Sequence, residues 1–387
     1  MAAPKILIVD DEPDVQLLMK QRFRKQIREN QMELFFAQSG VEALKVLDLQ
    51  PDIRLLISDI NMPEMDGLTL LKNLGERHPK VIPIIVSAYG DMGNIRAAMN
   101  LGAFDFVTKP INFDDLNATI DKTLTHLGTL IESEQTKDKL DGILHELNVA
   151  AEIQQSILPK EFIKNDNIDL YGKMTPAKQI GGDFYDFFWL SKQHLGLVIA
   201  DVSGKGVPAA LFMTVSRTML RAHAFNKEPP GQTLAEVNIG LQKDNDKMMF
   251  VTTFFGILDM STGKFKFSNG GHNPPIMIRK GGAIEMLPST RGTALGVAEI
   301  NQYHEYEIEL NEGDSLFLYT DGVTEAENRQ GHCFGEKRLQ EFSDANRDLS
   351  ASEYVNTLSS EITKYADGCP QSDDITLLMI RFLKKQS

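Results

Sequence analysis

Two separate sets of aspartates contain the side chains best suited to chemistry in this chain of 387 residues. Each set stands at the tips of short apolar runs that are typical of buried β-strands. A carboxylate at the end of a buried strand is costly unless a cation or several donors compensate its charge, so both sets indicate metal and phosphate chemistry. The first set is Asp10, Asp11 and Asp59, with Ser87 and Lys109, and the second is Asp183, Asp201, Asp321, Asp373 and Asp374.

The first set lies in a segment where apolar runs alternate with amphipathic stretches. This alternation predicts a doubly wound α/β fold with a five-stranded parallel sheet, in which ligands bind at the carboxyl ends of the strands. Three carboxylates at that edge would repel one another unless a hard divalent cation such as Mg²⁺ were bound, with Lys109 as a second positive charge. The predicted strands are Ile6–Val9, Leu34–Ala37, Leu55–Ser58, Ile82–Val86 and Phe104–Val107.

Residues 1–122 resemble the receiver domain of two-component response regulators. The matching segments are Val9-Asp10-Asp11, Ser58-Asp59-Ile60-Asn61-Met62-Pro63-Glu64-Met65-Asp66-Gly67, Ser87-Ala88 and Thr108-Lys109-Pro110. The resemblance implies that Asp59 accepts a phosphoryl group from a cognate histidine kinase. A helix-capping role is the alternative for Asp59, but it would not account for the other matched positions.

The same resemblance implies roles for the residues around Asp59. Ser87 and Lys109 would contact the phosphoryl group. Phe106 occupies the aromatic switch position, where burial of the ring is coupled to the movement of Ser87. The implied Mg²⁺ ligands are Asp10, Asp11, Asp59 and the carbonyl of Asn61.

Residues 123–160 are predicted to form a helical coiled-coil linker, because apolar positions recur at intervals of three and four. The two series do not share a register, and a mismatch of this kind changes the local winding of a coiled coil. We expect the helix to form a homodimer and to transmit the state of the receiver, with a passive spacer as the alternative. The first series is Leu116, Ile120, Thr123, Leu127 and Leu130, and the second is Leu140, Leu144, Leu147, Ala151, Gln154 and Leu158.

Residues 161–387 have strand-rich patterning with interspersed helical segments, which predicts an α+β domain built as a β-sandwich flanked by helices. Glycines beside Asp183, Asp201 and Asp321 allow tight turns and close approach of the backbone to a ligand. The predicted strands are Phe184–Trp189, Leu195–Ala200, Thr252–Leu258, Lys264–Phe267, Pro275–Ile278, Ser315–Thr320 and Ile375–Phe382. The predicted helices are Val207–Ala224, Thr233–Asp246, Glu336–Phe342 and Ser352–Ala366.

The second set offers hard oxygen ligands without histidine or cysteine, which favours Mg²⁺ or Mn²⁺ over zinc. Two such ions about 3.5–4 Å apart could share a bridging water, lower its pKa and orient it for in-line attack on phosphorus. The region resembles the sporulation and stress-response branch of the metal-dependent (type 2C) Ser/Thr protein phosphatases. The matching segments are Ala151–Pro159, Gly181-Gly182-Asp183-Phe184-Tyr185-Asp186, Asp201-Val202-Ser203-Gly204-Lys205-Gly206, Gly271-His272-Asn273-Pro274-Pro275, Tyr319-Thr320-Asp321-Gly322 and Ser372-Asp373-Asp374-Ile375-Thr376.

This second resemblance implies a catalytic pair, Asp183 and Asp201, that holds the metal ions whose water is the nucleophile. The Val202 carbonyl would be a further ligand, and the site would be completed by Asp321 and by Asp373 or Asp374. The implied substrate is a phosphoserine or phosphothreonine protein, in particular an anti-sigma-factor antagonist of the STAS fold. We expect phosphorylation of the receiver to activate the phosphatase.

Other classes of protein fit the residues less well. A cysteine-dependent phosphatase needs an arginine six positions after its cysteine, and Arg338 follows Cys333 one place too early. A nucleotide-binding P-loop would need glycine where Ile199 stands. A histidine kinase using His145 would need an ATP-binding domain that does not follow it. The main alternative is a phosphorylation-switched adaptor that has lost its chemistry and binds a transcription regulator, but an adaptor has no need for the mutually repulsive acids.

Composition limits the partners and the compartment. A formal net charge of −14 disfavours binding to nucleic acid, since phosphate backbones select surfaces rich in lysine and arginine. Two cysteines without a paired motif suit a reducing cytosol. No apolar run approaches the roughly 18 residues of a membrane span, so we expect a cytoplasmic protein. His272 could be a general acid, although its Gly-rich surroundings favour a turn.

Overall fold

The structure is a computed structural model that describes residues 3–88, 91–226, 228–243, 245–288, 292–299 and 302–384. Its packing divides the chain into two compact units, Met1–Gly142 and Ile143–Ser387. The predicted domain limits at residues 122 and 160 both fall near this division, on either side of it. Each unit has its own hydrophobic core, as expected for separate domains.

The first unit is built on a parallel sheet in the strand order β2-β1-β3-β4-β5. All residues of the central strand β3 are buried, because helices cover both faces of the sheet. The predicted doubly wound five-stranded sheet is therefore confirmed. Its strands are β1 (Lys5–Val9), β2 (Glu33–Ala37), β3 (Leu55–Asp59), β4 (Ile82–Ala88) and β5 (Asp105–Lys109).

Alternate residues of each strand enter different cores, as the two-residue period of a strand requires. Ile6 and Ile8 of β1 pack into one core, whereas Leu7 and Val9 pack into the other. The strand β5 begins one residue later than predicted and ends on Lys109. The helices of this unit are α1 (Pro13–Arg22), α2 (Arg24–Arg28), α3 (Gly40–Leu49), α4 (Gly67–Arg77), α5 (Met92–Asn100) and the first part of α6 (Phe113–Ile157).

Helix α6 corrects the interpretation of the first apolar series as a coiled-coil seam. Leu116, Ile120 and Leu127 are buried in the core of the first unit. Thr123 is also fully buried, and its hydroxyl donates to the carbonyl of Thr119 at 2.6 Å. This part of the helix is the last helix of the α/β fold, which has the same spacing as a coiled coil because both bury one helical face.

The middle of α6 has a different environment. Residues 129–146 are all exposed in this chain, including the apolar side chains of Leu130, Ile131, Leu140, Ile143 and Leu144. The helix is continuous from Phe113 to Ile157, through the region where the two apolar series change register. The last residues of the second series are buried again, since Gln154 and Leu158 are 5% and 7% exposed.

The second unit contains two antiparallel sheets, with strand orders β13-β10-β9-β8-β7 and β12-β11-β14-β15-β6. The predicted α+β sandwich is confirmed. Its strands are β6 (Ile168–Thr175), β7 (Phe184–Trp189), β8 (His194–Val202), β9 (Val251–Asp259), β10 (Lys264–Gly270), β11 (Ile276–Ile278), β12 (Ile284–Met286), β13 (Glu305–Glu309), β14 (Ser315–Tyr319) and β15 (Ile375–Phe382).

Helices cover the outer faces of both sheets. Helices α7 (Val207–Ala224) and α8 (Pro230–Gln242) pack on the first sheet, whereas α9 (Gly335–Ala345) and α10 (Ala351–Ala366) pack on the second. Strand β14 shows the layering, because Leu316 and Leu318 enter the core between the sheets while Phe317 and Tyr319 enter the core beneath α9 and α10. A sheet buried on both faces explains its nearly continuous apolar strands.

Three strands of the second unit were absent from the sequence prediction, namely β6, β12 and β13. Strand β13 is an edge strand with the sequence Glu-Tyr-Glu-Ile-Glu and is mostly exposed, so it has little apolar signal. Pairing with β10 stabilises it, and Glu307 forms ion pairs with Lys264 and Lys266 across that pairing. Only tertiary pairing makes such a segment a strand.

Two simpler expectations concern the membrane and the cysteines. Among the described residues, no helix combines the length and apolar character needed to cross a membrane. Cys333 and Cys369 are both free thiols.

Candidate functional site

The first acidic set converges at the carboxyl ends of β1 and β3. Oxygens of Asp10, Asp11 and Asp59 all lie within 4.8 Å of one another. Asp10 and Asp59 are buried, and Asp11 is exposed. Within the described part of the chain, this is the one group of three acidic, histidine or cysteine side chains that meets so closely.

Lys109 supplies the positive charge at this edge. Its Nζ lies 2.6 Å from Asp59 Oδ2 and 3.2 Å from Asp10 Oδ2. Burial alone would lower the pKa of Lys109, but the hydrogen bond and charge of Asp59, together with Asp10, raise it above its ordinary value. Burial raises the pKa of Asp10, and the Glu12 N–H and Lys109 oppose that rise. The ammonium therefore stays charged and holds the two buried carboxylates together.

The backbone around Asp59 also shapes this site. The N–H of Asn61 donates to Asp59 Oδ1 at 3.3 Å. Gly67, at the start of α4, lies so close to β3 that a Cβ there would be 2.3 Å from the Asp59 carbonyl oxygen. Only glycine permits this approach.

The two predicted switch residues lie on neighbouring strands. Ser87 in β4 is fully buried, and its Oγ has no hydrogen-bond partner among the described residues. Phe106 in β5 is 36% exposed, so its ring is only partly buried. A buried hydroxyl without a hydrogen-bond partner costs folding free energy. This cost is consistent with a side chain that donates to an acceptor when one is bound.

The second acidic set comes from four strand ends in the second unit. Asp183 immediately precedes β7, and Asp201 is the penultimate residue of β8, where it pairs with Thr252 of β9. Asp321 follows β14 at the start of a short 3₁₀ helix, Asp321–Val323. Asp373 and Asp374 immediately precede β15. Since neighbouring antiparallel strands run in opposite directions, these starts and ends share one edge of the sandwich.

Electrostatics confirm that these carboxyls are close to one another. Burial raises the pKa of Asp183 well above its ordinary value, and the charges of Asp201 and Asp374 add to the rise. Burial and then the charge of Asp321 raise the pKa of Asp201 to about 7. Burial and the charge of Asp373 raise the pKa of Asp321. Burial and mutual repulsion therefore make these carboxyls bind protons more readily than free carboxylates do.

Asp374 differs from the other acids because backbone N–H groups occupy its carboxylate. Oδ1 accepts from Ala177 at 2.7 Å, and Oδ2 accepts from Gly182 at 2.6 Å and from Asp183 at 3.4 Å. Its side chain is buried and fixes the loop that carries Asp183. Gly322 approaches the same segment so closely that a Cβ would be 2.1 Å from the Asp374 carbonyl oxygen.

The donors in this second set fit Mg²⁺ or Mn²⁺. They are hard oxygens, and Thr376 orients one of them by donating from Oγ1 to Asp183 Oδ2 at 2.8 Å. The Val202 carbonyl also lies at the site, since a Cβ on Gly182 would be 3.0 Å from it. Among the described residues, no three acids of this set converge within 4.8 Å as the first set does, so the oxygens are spread over a wider space than one ion fills.

Two contacts of this site were not assigned by sequence reasoning. Gln154, near the end of α6, donates from Nε2 to the Gly181 carbonyl at 2.6 Å and accepts from the Gly181 N–H at 3.2 Å. Lys205 forms an ion pair with Asp373 Oδ2 at 3.0 Å. The sequence signal for the Gln154 contact was a polar residue at an apolar position of the second series. The sequence signal for the Lys205 contact was a lysine between two glycines.

His272 is buried and lies in a turn. Its N–H donates to Asn269 Oδ1 at 2.7 Å, and Asn269 Nδ2 donates to its carbonyl at 2.8 Å. The ring Nδ1 lies 2.9 Å from the hydroxyl of Thr252. Burial lowers the pKa of His272 to about 4, so the imidazole is neutral at pH 7. This geometry agrees with a structural role rather than with a general acid.

Comparisons with known proteins match each unit to a described family. The family model for Stage II sporulation protein E (SpoIIE) matches residues 191–383, and the response regulator receiver domain model matches residues 6–121. Phosphoserine phosphatase RsbU of Bacillus subtilis is 30% identical over 240 residues, which cover 62% of this chain and 70% of RsbU. Protein IcfG of Synechocystis sp. is 31% identical over 279 residues, which cover 65% of this chain. The match spans less than half of IcfG, at 43% of its length.

A solved structure has the same fold as the second unit. The PP2C domain of SiaA from Pseudomonas aeruginosa superposes with a TM-score of 0.57 at 22% identity, covering 63% of this chain and 98% of that domain. The chain belongs to the SpoIIE family of PP2C-type phosphatases and carries an N-terminal response regulator receiver domain. Asp183 precedes the residues that the family model matches, so its assignment depends on the geometry described above.

We expect the stability of the second unit to fall as the pH drops from 6.5 to about 4. In that range the unfolded state protonates His272 while the folded state does not. Stability from this residue is complete above pH 6.5, and its loss approaches about 3 kcal/mol at low pH. Urea unfolding at several pH values should show a weaker pH dependence for His272→Asn, which preserves a partner for Thr252. An unchanged dependence in the variant would contradict the assignment.

Proposed function

We propose that the second unit hydrolyses phosphoserine or phosphothreonine in a protein, in a metal-dependent reaction that phosphorylation of Asp59 controls. The observation that supports this proposal most strongly is the placement of four aspartates at strand ends along one edge of a PP2C-type sandwich, namely Asp183, Asp201, Asp321 and Asp373. Mutual repulsion among buried carboxylates is retained only where cations are bound. The name of RsbU, a phosphoserine phosphatase, supports the same chemistry.

In this proposal Asp183, Asp201, Asp321 and Asp373 hold two Mn²⁺ or Mg²⁺ ions, with the Val202 carbonyl as a further ligand. When bound, the ions supply Lewis-acid activation of water and neutralise charge on the phosphoryl group. Asp373 is the better candidate for direct ligation, because three backbone N–H groups already occupy the Asp374 carboxylate. Asp374 positions the Asp183 loop instead.

The first unit would bind Mg²⁺ through Asp10, Asp11, Asp59 and the Asn61 carbonyl. Asp59 would take the phosphoryl group from a histidine kinase, and Lys109 is within 2.6 Å of the accepting carboxylate. The Ser87 hydroxyl, which has no partner within the described part of the chain, supports a role as a donor to that phosphoryl group. The partly exposed Phe106 ring has room to bury further when Ser87 moves.

The substrate we propose is a phosphorylated anti-sigma-factor antagonist of the STAS fold, on the strength of the family resemblance. The formal net charge of −14 fits a protein substrate better than a nucleic acid. The adaptor alternative is not favoured, because every acid of the second set is present and Thr376 keeps Asp183 oriented.

We expect the full-length protein to release phosphate from a phosphoserine protein in the presence of Mn²⁺, and EDTA to stop the reaction. Asp201→Ala should abolish activity. Thr376→Val, which removes only the hydroxyl that orients Asp183, should lower activity about 10- to 100-fold. Asp166→Ala, a change at an exposed aspartate, serves as the matched control. Malachite-green assay of phosphate release gives the measurement.

Absence of phosphate release from both a phosphoserine protein and an aryl phosphate, with and without phosphorylated Asp59, would favour the adaptor. Activity that persists in Asp201→Ala would show that the hydrolysis comes from another site. Retained activity in EDTA would refute metal dependence.

We also propose that the exposed middle of α6 forms a homodimer with a second copy of the chain. Leu140 and Leu144 are 54% and 37% exposed and lie four residues apart, so they form one apolar stripe. Leu130 and Ile131 extend the exposed apolar surface. A second copy of the same stripe would cover it by parallel coiled-coil packing.

Leu140→Arg should shift the molecular mass from dimer to monomer, because a charge in the seam is desolvated on association. Light scattering coupled to size-exclusion chromatography gives the mass. Leu17→Arg is the control, since Leu17 is 71% exposed on α1, outside the stripe. A wild-type monomer in both phosphorylation states would refute the dimer, and a dimeric Leu140→Arg would refute this stripe as its interface.

Control by Asp59 requires a physical connection from α6 to the metal-binding loop, and Gln154 provides a candidate. Its amide pairs with both the N–H and the carbonyl of Gly181, two residues before Asp183. Gly182 and Asp183 are in turn held by Asp374. A rotation or shift of α6 would therefore move the backbone that carries Asp183. We propose that phosphorylation favours the aligned arrangement and activates the enzyme.

A phosphoryl mimic at Asp59 should raise the initial rate of dephosphorylation, and Gln154→Ala should lower the basal rate and remove the response. Gln155→Ala is the matched control, because Gln155 is exposed on the same turn. Initial rates of phosphate release with and without beryllium fluoride give the comparison. A slower phosphorylated form would refute the sign of control, equal rates would refute coupling, and a full response in Gln154→Ala would exclude this route.

A further inference from the structure

Lys205 lies beside the metal-binding acids but has no role in the function proposed so far. It stands in the turn between β8 and α7, flanked by Gly204 and Gly206, whose φ angles are 85° and 80°. Its Nζ is 3.0 Å from Asp373 Oδ2 and donates to the carbonyl oxygen of Ser372. The side chain is 36% exposed, so it reaches the acids from the solvent side.

This contact is the only ion pair made by the second acidic set among the described residues. The ammonium also opposes the rise in the pKa of Asp321 that burial and Asp373 cause. Lys205 therefore acts as a cation for the acidic group, although one monovalent charge cannot balance four carboxylates. The Asp373 oxygen that it contacts belongs to the residue best placed for direct metal ligation.

We propose that Lys205 is a displaceable internal cation, a positioning residue that neutralises Asp373 before metal binds and must leave that carboxylate when a divalent cation takes it. This inference rests on the proposed metal-dependent function. A divalent cation at Asp373 repels the ammonium, while the carboxylate cannot offer the same electron pairs to both. The flexible four-carbon stem of lysine, on a turn at the protein surface, gives the ammonium a route into solvent.

If metal displaces Lys205, the direction of the change in metal affinity on removing Lys205 is defined. Metal binding must break the Lys205–Asp373 pair, so the pair weakens the affinity for metal. Removal of the ammonium should strengthen metal binding and destabilise the metal-free protein, because the acids then repel one another without compensation. A purely structural role for Lys205 would have the opposite consequence for the metal affinity. If its bond to the Ser372 carbonyl served only to position Asp373, loss of Lys205 would weaken metal binding.

The test is isothermal titration of Mn²⁺ into the full-length protein with Lys205→Gln. An Asp11→Ala background removes the site of the first unit from the measurement. We expect a Kd about two- to fivefold lower in Lys205→Gln, as for the loss of one competing, partly exposed ion pair. Lys205→Arg should retain the wild-type Kd, because arginine preserves the charge. Lys264→Gln removes the same charge from a surface ion pair with Glu307, remote from the acidic set in the strand ladder, and should leave the Kd unchanged.

Thermal unfolding in EDTA supplies a second readout that does not depend on activity. Lys205→Gln should unfold at a lower temperature than wild type in EDTA, and the difference should disappear in saturating Mn²⁺. A weaker or unchanged Mn²⁺ affinity in Lys205→Gln would overturn the inference while leaving the metal phosphatase intact. A folded background protein that binds no Mn²⁺ would overturn both this inference and the metal-dependent function.

Discussion

The dominant physical constraint in both units is that buried carboxylates at strand ends need compensating charge. In the first unit Lys109 compensates Asp10 and Asp59 directly. In the second unit the compensation is divided, because backbone N–H groups satisfy Asp374, a hydroxyl satisfies one oxygen of Asp183, and Lys205 pairs with Asp373. Burial and neighbouring carboxyl charges raise the pKa values of Asp183 and Asp201, so the chain's own groups compensate these two carboxyls only in part.

The two units bring carboxylates together through different sheet topologies. In the parallel sheet all strands end at one edge, so Asp10 after β1 and Asp59 at the end of the neighbouring β3 meet there. In the antiparallel sandwich, a strand start lies beside the end of its neighbour. Asp183 at the start of β7 is thus next to Asp201 at the end of β8, and Asp321 after β14 is next to Asp373 before β15. Each sheet contributes one such pair to the second site.

Helix α6 changes its environment along its length. Its first part is packed in the core of the α/β unit, its middle is exposed, and Gln154 near its end contacts the loop of the second site. The same helical periodicity therefore occurs in three different environments along α6. An apolar position at regular spacing identifies a buried face but does not identify what buries it.

From the sequence we could predict the parallel sheet, the presence of the sandwich and the positions of most aspartates at strand ends. These follow from local signals, namely apolar runs for strands such as β3 and β15, and aspartates beside glycines at their ends. Tertiary structure decided which partner each residue meets. Leu127 belongs to a core rather than to a coiled-coil seam, Asp374 binds backbone N–H groups, and β13 is a strand only because β10 pairs with it. Those contacts join segments far apart in the chain, and spacing along a sequence carries no information about such distances.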